Sequence, residues 1–164
     1  MILVQDNPLL SMANFSGLVR PTGDINIKND PFIQIYFPNL NDSQRLSLSN
    51  INTVDLPMLT TLGALNTSNN YFSSFYASNW WNLISIAGGD FLIVDNGVLK
   101  DVQPPLLGTI GGAGYGGFTI SSNPVWQNIA VNNLKNLGNT SISENVQRSV
   151  SSGLLSTPQP LIRV

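Results

Sequence analysis

The segment "LLGTIGGAGYGGF", residues 106–118, has the spacing that comes nearest to a known chemical motif. Gly112, Gly114 and Gly117 follow the pattern G-x-G-x-x-G, which in dinucleotide-binding folds leaves a strand and opens a helix. Here the run continues into "FTI", which is typical of a strand, and the first acid downstream is Glu144, too distant to reach a ribose. The pattern therefore disfavours a nucleotide site, and we expect no cofactor.

The same glycines admit two other interpretations. They predict a loop whose backbone turns sharply or lies close to a neighbouring segment. Their mixture with alanine and aromatic residues also occurs in segments that enter membranes during virus entry, so membrane contact through this loop is a weaker hypothesis that stays open. We predict a flexible loop at Gly111, Gly112, Gly114, Gly116 and Gly117.

The residues that usually perform acid, base or nucleophilic chemistry are scarce. The chain has no histidine and no cysteine, so only a carboxylate pair could act near neutral pH. Asp90, Asp95 and Asp101 surround one predicted hairpin, where aspartate is common for its turn-forming properties alone. We predict that the protein is not an enzyme, with no catalytic residue and no metal site.

The aromatic segment "YFSSFYASNWW" is the strongest candidate for a binding surface. Neighbouring side chains point apart in strands and about 100° apart in helices, so adjacent tryptophans cannot both enter one core from a regular element. Three interpretations stay open: an irregular turn that buries both rings, a contact with another protein, and a platform that stacks on sugars. The candidate interface or ligand-stacking residues are Tyr71, Phe72, Phe75, Tyr76, Trp80 and Trp81.

The elements that must position these residues are predicted mainly as strands. Alternating apolar residues predict two strands with a tight connection at Asn29-Asp30-Pro31 in "INIKNDPFIQIYFPN", and further strands in the segments 83–87, 91–94 and 98–102. The pair Asn96-Gly97 predicts a tight hairpin between the last two segments. In "NPVWQNIAVNNLKNLG" the apolar spacing, with Asn123 as N-cap and Gly138 as the C-terminal stop, predicts a helix, and a second short helix follows Ser141.

The length and the absence of an apparent internal repeat predict one domain over residues 1–164. Prolines interrupt an extended N-terminal arm at about 1–22 and an extended tail at about 154–164. We predict a mainly β fold: a single-domain β-sandwich or jelly-roll-like domain with one or two short C-terminal helices, the alternative being an α+β fold. The N-terminus lacks the pattern of a secretory signal.

Charge is unusually sparse, because only 10% of the residues are Asp, Glu, Lys or Arg and the stretches 56–89 and 102–134 contain none of them. The seven basic residues are scattered, which argues against nucleic acid as a partner. A surface of amides and hydroxyls suits a protein packed against its own copies, so we predict a homo-oligomeric structural subunit of a virion, such as a capsid, cement, penton or tail protein. The alternative is a carbohydrate-binding or adhesion module at a cell surface that uses the aromatic platform.

Overall fold

The protein is a parallel β-solenoid. The computed structural model describes residues 1–72, 74–76, 82–111, 116–130, 133–137, 139–143 and 149–151. Every pairing between the described strands is parallel, and each strand pairs with the equivalent strand of the coil before or after it. The strands are β1 (Ile2–Gln5), β2 (Met12–Asn14), β3 (Ile25–Tyr36), β4 (Asp42–Asp55), β5 (Thr61–Ser68), β6 (Ser74–Tyr76), β7 (Ser85–Ile86), β8 (Phe91–Val94), β9 (Asp101–Gln103), β10 (Thr109–Ile110), β11 (Gly117–Ser121), β12 (Asn128–Ala130), β13 (Asn136–Leu137), β14 (Asn139–Ser143) and β15 (Ser149–Ser151).

Two sheets run along the axis of the solenoid. The larger sheet contains eleven strands and has the central order β1-β3-β4-β5-β7-β10-β13, with β2, β8, β11 and β14 attached to it. The smaller sheet contains β15-β12-β9-β6 in that order. Because stacked strands lie about 4.8 Å apart, equivalent residues of successive coils form straight columns along the axis.

The core consists of apolar columns that point into the solenoid. Within each strand every second side chain points inward. The parallel register places the inward apolar side chains of one strand directly on those of the next strand. The strand pairings define one such column, which consists of Ile2, Ile25, Leu46, Leu65, Phe91 and Phe118. All of its residues except Ile2, in the first coil, are only 0–2% exposed. The aromatic rings of Phe91 and Phe118 contact each other with centroids 5.1 Å apart.

Turns of one recurring form connect the strands at the corners. In each, the carbonyl of the first residue accepts a hydrogen bond from the backbone amide three residues later, and proline often occupies the second position, where its fixed φ suits the turn. The fourth residue of the turn is buried in the core, except at Leu10 and Leu18, which are partly buried. Examples are Leu40, Leu59, Leu99, Leu107 and Trp126.

The predicted β-sandwich and the C-terminal helices are both wrong, and the described residues contain no helix. The segment after Asn123 turns at once, since the Trp126 amide donates to the Asn123 carbonyl, and then forms β12 and β13. The apolar spacing that resembled a helical face arises because two corners and two short strands follow each other at similar intervals. The second predicted helix begins inside β14 and continues into residues outside the described part.

The hairpin predicted at Asn96-Gly97 is also wrong. The strands on either side of it, β8 and β9, belong to different sheets and do not pair with each other. Asp95 has the positive φ, 56°, whereas a type I′ hairpin would need positive φ at both Asn96 and Gly97. The pair therefore forms a corner of the solenoid, and the chain moves on to the next face.

Residues 1–22, predicted as an extended N-terminal arm, contain β1 and β2, both paired with β3, and two corner turns that end at Leu10 and Leu18. The predicted tail at 154–164 lies outside the described residues. Among the described residues, we find no helix long and apolar enough to cross a membrane.

Candidate functional site

A column of buried asparagines fixes one corner of the solenoid. Asn70, Asn96 and Asn123 occupy equivalent positions in three successive coils and are at most 2% exposed. The Oδ1 atom of Asn96 accepts from the backbone amide of Asn70 at 3.0 Å, and that of Asn123 accepts from the amide of Asn96 at 2.9 Å. Each amide group thus satisfies the backbone of the coil before it, which a curved corner cannot do with strand pairing alone.

The Nδ2 atoms of this asparagine column satisfy backbone carbonyls. Asn96 donates to the carbonyls of Val94 at 3.0 Å and Thr67 at 3.3 Å, and Asn123 repeats the pattern one coil later. Full hydrogen bonding compensates for the burial of these polar groups. The column is therefore part of the framework, and it is the surface beside the column that is open to ligands.

Asp30 occupies the equivalent position in an earlier coil. Its Oδ1 accepts from the amide of Asn7, just as each asparagine of the column accepts from the coil before it. Its Oδ2 is buried and has no hydrogen-bond partner among the described residues, and the residue is 0% exposed. Aspartate at this position therefore keeps the hydrogen bond that the side-chain oxygen accepts from the preceding coil, but it lacks the bonds that the asparagines donate from Nδ2.

A polar stripe runs along the outside of the same corner. The residue directly before each column position has a left-handed backbone with φ between 53° and 59°, and these are all the non-glycine residues with positive φ in the described part of the chain. Asparagine and aspartate tolerate this conformation better than other residues do. The polar stripe consists of Asp6, Asn29, Asn50, Asn69, Asp95 and Ser122.

An exposed apolar ridge lies on the other side of the asparagine column. It is formed by the residue one or two positions after the column position, at the outer edge of the corner turn. The exposed fractions are 96% for Leu9, 69% for Phe32, 53% for Tyr71, 42% for Val98 and 39% for Val125. We call these five residues the corner ridge.

The corner ridge and the polar stripe together have the chemistry of a sugar-binding surface. Aromatic faces such as those of Phe32 and Tyr71 pack on apolar faces of sugar rings, while carboxylates and amides hydrogen-bond to hydroxyl groups. The stripe is already organised in part, because Asn29 Nδ2 donates to Asp6 Oδ1 at 2.9 Å. No group of three metal-ligating side chains occurs among the described residues.

The predicted aromatic cluster divides between the core and the surface. Tyr71 is exposed and belongs to the corner ridge, whereas Phe72 is partly buried and packs against the core. Phe75 and Tyr76 lie in β6, in register with Val102 and Gln103 of β9. Trp80 and Trp81 lie outside the described residues, so their role stays a prediction.

The predicted glycine loop has a steric explanation where the structure describes it. Gly111 and Gly116 have φ values of 80° and 88°, and a Cβ on Gly116 would come within 2.3 Å of the Gly89 carbonyl oxygen. Gly117 begins β11, and its amide donates to Asp90 Oδ1 at 2.7 Å. Gly112 and Gly114 lie outside the described residues. The described glycines therefore allow one coil to pass close over the next.

Sequence reasoning missed Phe32, the asparagine column and the polar stripe. The available signal was the recurrence of paired Asn, Asp or Ser residues just after an apolar strand, as in Asn69-Asn70, Asp95-Asn96 and Ser122-Asn123. The coils differ in length, since paired residues are 19 positions apart between Leu46 and Leu65 but 27 between Phe91 and Phe118. A search for a fixed period therefore finds no repeat.

Comparison with known proteins gives one informative similarity. The chain is 26% identical over 129 residues to a protein of Arthroderma benhamiae described as a cell surface GPI-anchored protein. The similarity covers 77% of this chain and 31% of that relative's length. No family model matches the sequence, and no solved structure matches the fold.

This similarity gives no support to the predicted virion location and agrees with the cell-surface alternative. The relative is a cell-surface protein, and nothing in the comparisons connects the chain to a virus particle. The sparse charge that suggested a capsid subunit has another physical cause: stacked like charges along every column of a parallel solenoid would repel one another, so serine, threonine and asparagine occupy the outer positions instead.

Proposed function

We propose that this chain is a binding module of a cell-surface protein and that it binds carbohydrate through the corner ridge. The observation that carries the proposal is the exposure of two aromatic side chains, Phe32 and Tyr71, on one corner beside a stripe of amides and carboxylates. The similarity to a cell-surface protein supports this location, and the chain spans about a third of that relative's length.

The arrangement favours a glycan that runs along the solenoid axis. Phe32 and Tyr71 lie in coils two apart, and these coils are separated by about 9.6 Å along the axis, twice the strand spacing. In an extended glycan, the first and third of three consecutive sugar rings would contact Phe32 and Tyr71. The polar stripe runs parallel to the ridge and would offer hydrogen bonds at each coil.

Binding of the purified chain to insoluble glucan, chitin and mannan tests the proposal. Each aromatic contact contributes about 0.5–1.5 kcal/mol, so Phe32→Ala or Tyr71→Ala should weaken binding by up to about tenfold and the double variant by more. Met58→Ala is the matched control, since Met58 is 53% exposed at a different corner.

Two results would contradict the assignment of the site. Unchanged binding in the double variant would exclude the corner ridge. Loss of binding in Trp80→Ala alone would instead support the aromatic cluster predicted from the sequence. Failure of the wild-type chain to bind any polysaccharide, with capture of a surface protein that depends on Phe32, would support the adhesion alternative.

A further inference from the structure

A notch one strand wide separates the two aromatic residues of the corner ridge. In the shift of register between the first two long strands, β3 has residues 31–33 where β4 has Asn52 alone. On the other side of β4, the Tyr71 amide donates to the Ile51 carbonyl at 3.0 Å, which places Tyr71 beside Asn52. Asn52 therefore lies between Phe32 and Tyr71, in the coil that separates them.

The floor of this notch is lower than its two walls. Asn52 is half-buried, whereas Phe32 and Tyr71 are 69% and 53% exposed, and asparagine has the shortest of the three side chains. A glycan that rests on both aromatic side chains therefore holds its central ring above Asn52. A hydroxyl group attached directly to that ring stays above the floor, whereas a longer substituent reaches it.

The side-chain amide of Asn52 is available to such a substituent. Among the described residues it makes no hydrogen bond, in contrast to the amides of the asparagine column, which are fully bonded to backbone. Its Nδ2 donates and its Oδ1 accepts. Because aromatic side chains on both sides keep water away, a hydrogen bond made at this floor is stronger than one made in open solvent.

Charge around the notch favours an uncharged ligand. In the three coils that form it, the polar stripe consists of Asn29, Asn50 and Asn69. These amides hydrogen-bond to hydroxyl groups. They provide no ion-pair partner for a sulfate, uronate or ammonium group, so the stripe beside the notch suits a neutral polymer.

We infer that the corner ridge selects polymers of N-acetylated amino sugars, and that the acetamido group of the central ring enters the notch. This substituent has the two properties that the notch requires: its carbonyl oxygen accepts from Asn52 Nδ2, and its methyl group packs against the aromatic walls at Phe32 and Tyr71. The inference rests on the proposed carbohydrate binding and adds the class of sugar and the residue that selects it.

Calorimetry with two matched trisaccharides tests this selectivity. Triacetylchitotriose and cellotriose have the same backbone of β-linked glucopyranose rings, and they differ by an acetamido or a hydroxyl group at one carbon of each ring. The wild-type chain should bind the N-acetylated trisaccharide about tenfold more tightly, which is the ratio that one hydrogen bond and one buried methyl group produce. Asn52→Ala should bind the two trisaccharides with similar affinity. Asn52→Asp keeps the size of the side chain and removes the donor, so it should lose the preference as well.

Asn66→Ala is the matched control, since Asn66 is exposed in β5 away from the corner, and it should keep the tenfold preference. Equal affinity of the wild-type chain for the two trisaccharides, or an unchanged preference in Asn52→Ala, would overturn this inference and leave the proposed function standing. Binding of glucan or mannan without the N-acetylated trisaccharide would do the same. A chain that binds no carbohydrate would overturn the proposed function and this inference together.

Discussion

Replacing Asp30 by asparagine should make the protein more stable, although it changes one buried atom only. Asp30 is 0% exposed, and its Oδ2 has no hydrogen-bond partner among the described residues. At the equivalent positions, Asn96 and Asn123 each donate from Nδ2 to two backbone carbonyls. By the register of β1 with β3, the corresponding carbonyls near Asp30 are those of Val4 and Lys28. Asparagine would place a donor where aspartate places an acceptor.

The size of the effect follows from the cost of a buried polar atom without a partner, which is about 1–3 kcal/mol. For a domain of this size, 1 kcal/mol changes the melting temperature by about 2–4 °C. The central expectation for Asp30→Asn is therefore about 2 kcal/mol of added stability and a rise of about 4–8 °C. The hydrogen bond from the Asn7 amide to Oδ1 is preserved, so nothing is lost in exchange.

Thermal and urea unfolding at neutral pH, followed by circular dichroism, measure this difference. Asp95→Asn is the matched control, because Asp95 is exposed in the polar stripe and asparagine tolerates its φ of 56°. The control should change stability by less than about 0.5 kcal/mol. If Asp30→Asn leaves stability unchanged or lowers it, the equivalence between Asp30 and the asparagine column is wrong.

Three other substitutions test separate features of the fold. Asn96→Ala removes the side-chain hydrogen bonds of Asn96 to Asn70 and Thr67 in the preceding coil and to Asn123 in the next coil, and should cost about 3 kcal/mol in urea unfolding. Asn66→Ala on the exposed face should cost less than about 0.5 kcal/mol. Gly63→Ala would place a Cβ 2.1 Å from the Gln44 carbonyl oxygen and should prevent a soluble, cooperatively unfolding protein, while Gly97→Ala meets nothing within 4 Å and should be tolerated. Desolvation by burial raises the pKa of the Asp55 carboxyl above 3.8, and the hydrogen bond from the Leu56 backbone opposes the shift. A carboxyl whose pKa is raised in the folded state favours folding below its unfolded pKa, and this contribution is lost as the pH rises through the folded pKa. Asp55→Asn should therefore stabilise the protein at pH 7 and give no such advantage at pH 3. An equal difference in stability at both pH values would contradict the assignment.

The sequence predicts much of the local structure and little of the arrangement. Strands are expected from the alternation on both sides of Asn29-Asp30-Pro31 and at 91–94, and all of these residues lie in strands. The predicted tight connection at Asn29-Asp30-Pro31 is wrong, because β3 continues through it with only a register shift against β4. Alternation reports which face of a strand is buried, but it does not report whether the partner strand is parallel, antiparallel or in another sheet. The pair Asn96-Gly97 therefore suggested a hairpin, although its asparagine is buried in the corner column.

The sequence identifies one residue of the proposed binding surface. The aromatic segment contains Tyr71, which is exposed, whereas Phe32 lies in a segment that the alternation predicts as an ordinary strand. Its exposure results from a register shift between Asp30 and Gln34, where β3 carries more residues than β4. A shift of this kind depends on the length of the neighbouring coil, which local sequence does not specify.

Hydrogen exchange of side-chain amides tests most directly the claim that this chain is a parallel solenoid organised by a buried asparagine column. After transfer to D₂O, NMR should show slowly exchanging Nδ2 protons for Asn70, Asn96 and Asn123, while those of exposed residues such as Asn66 and Asn69 disappear at once. Nuclear Overhauser effects should connect each protected amide to the coil before it, between 19 and 30 positions away along the chain. Rapid exchange at all three positions, or contacts from these amides to sequence neighbours alone, would contradict the parallel register and the surface derived from it.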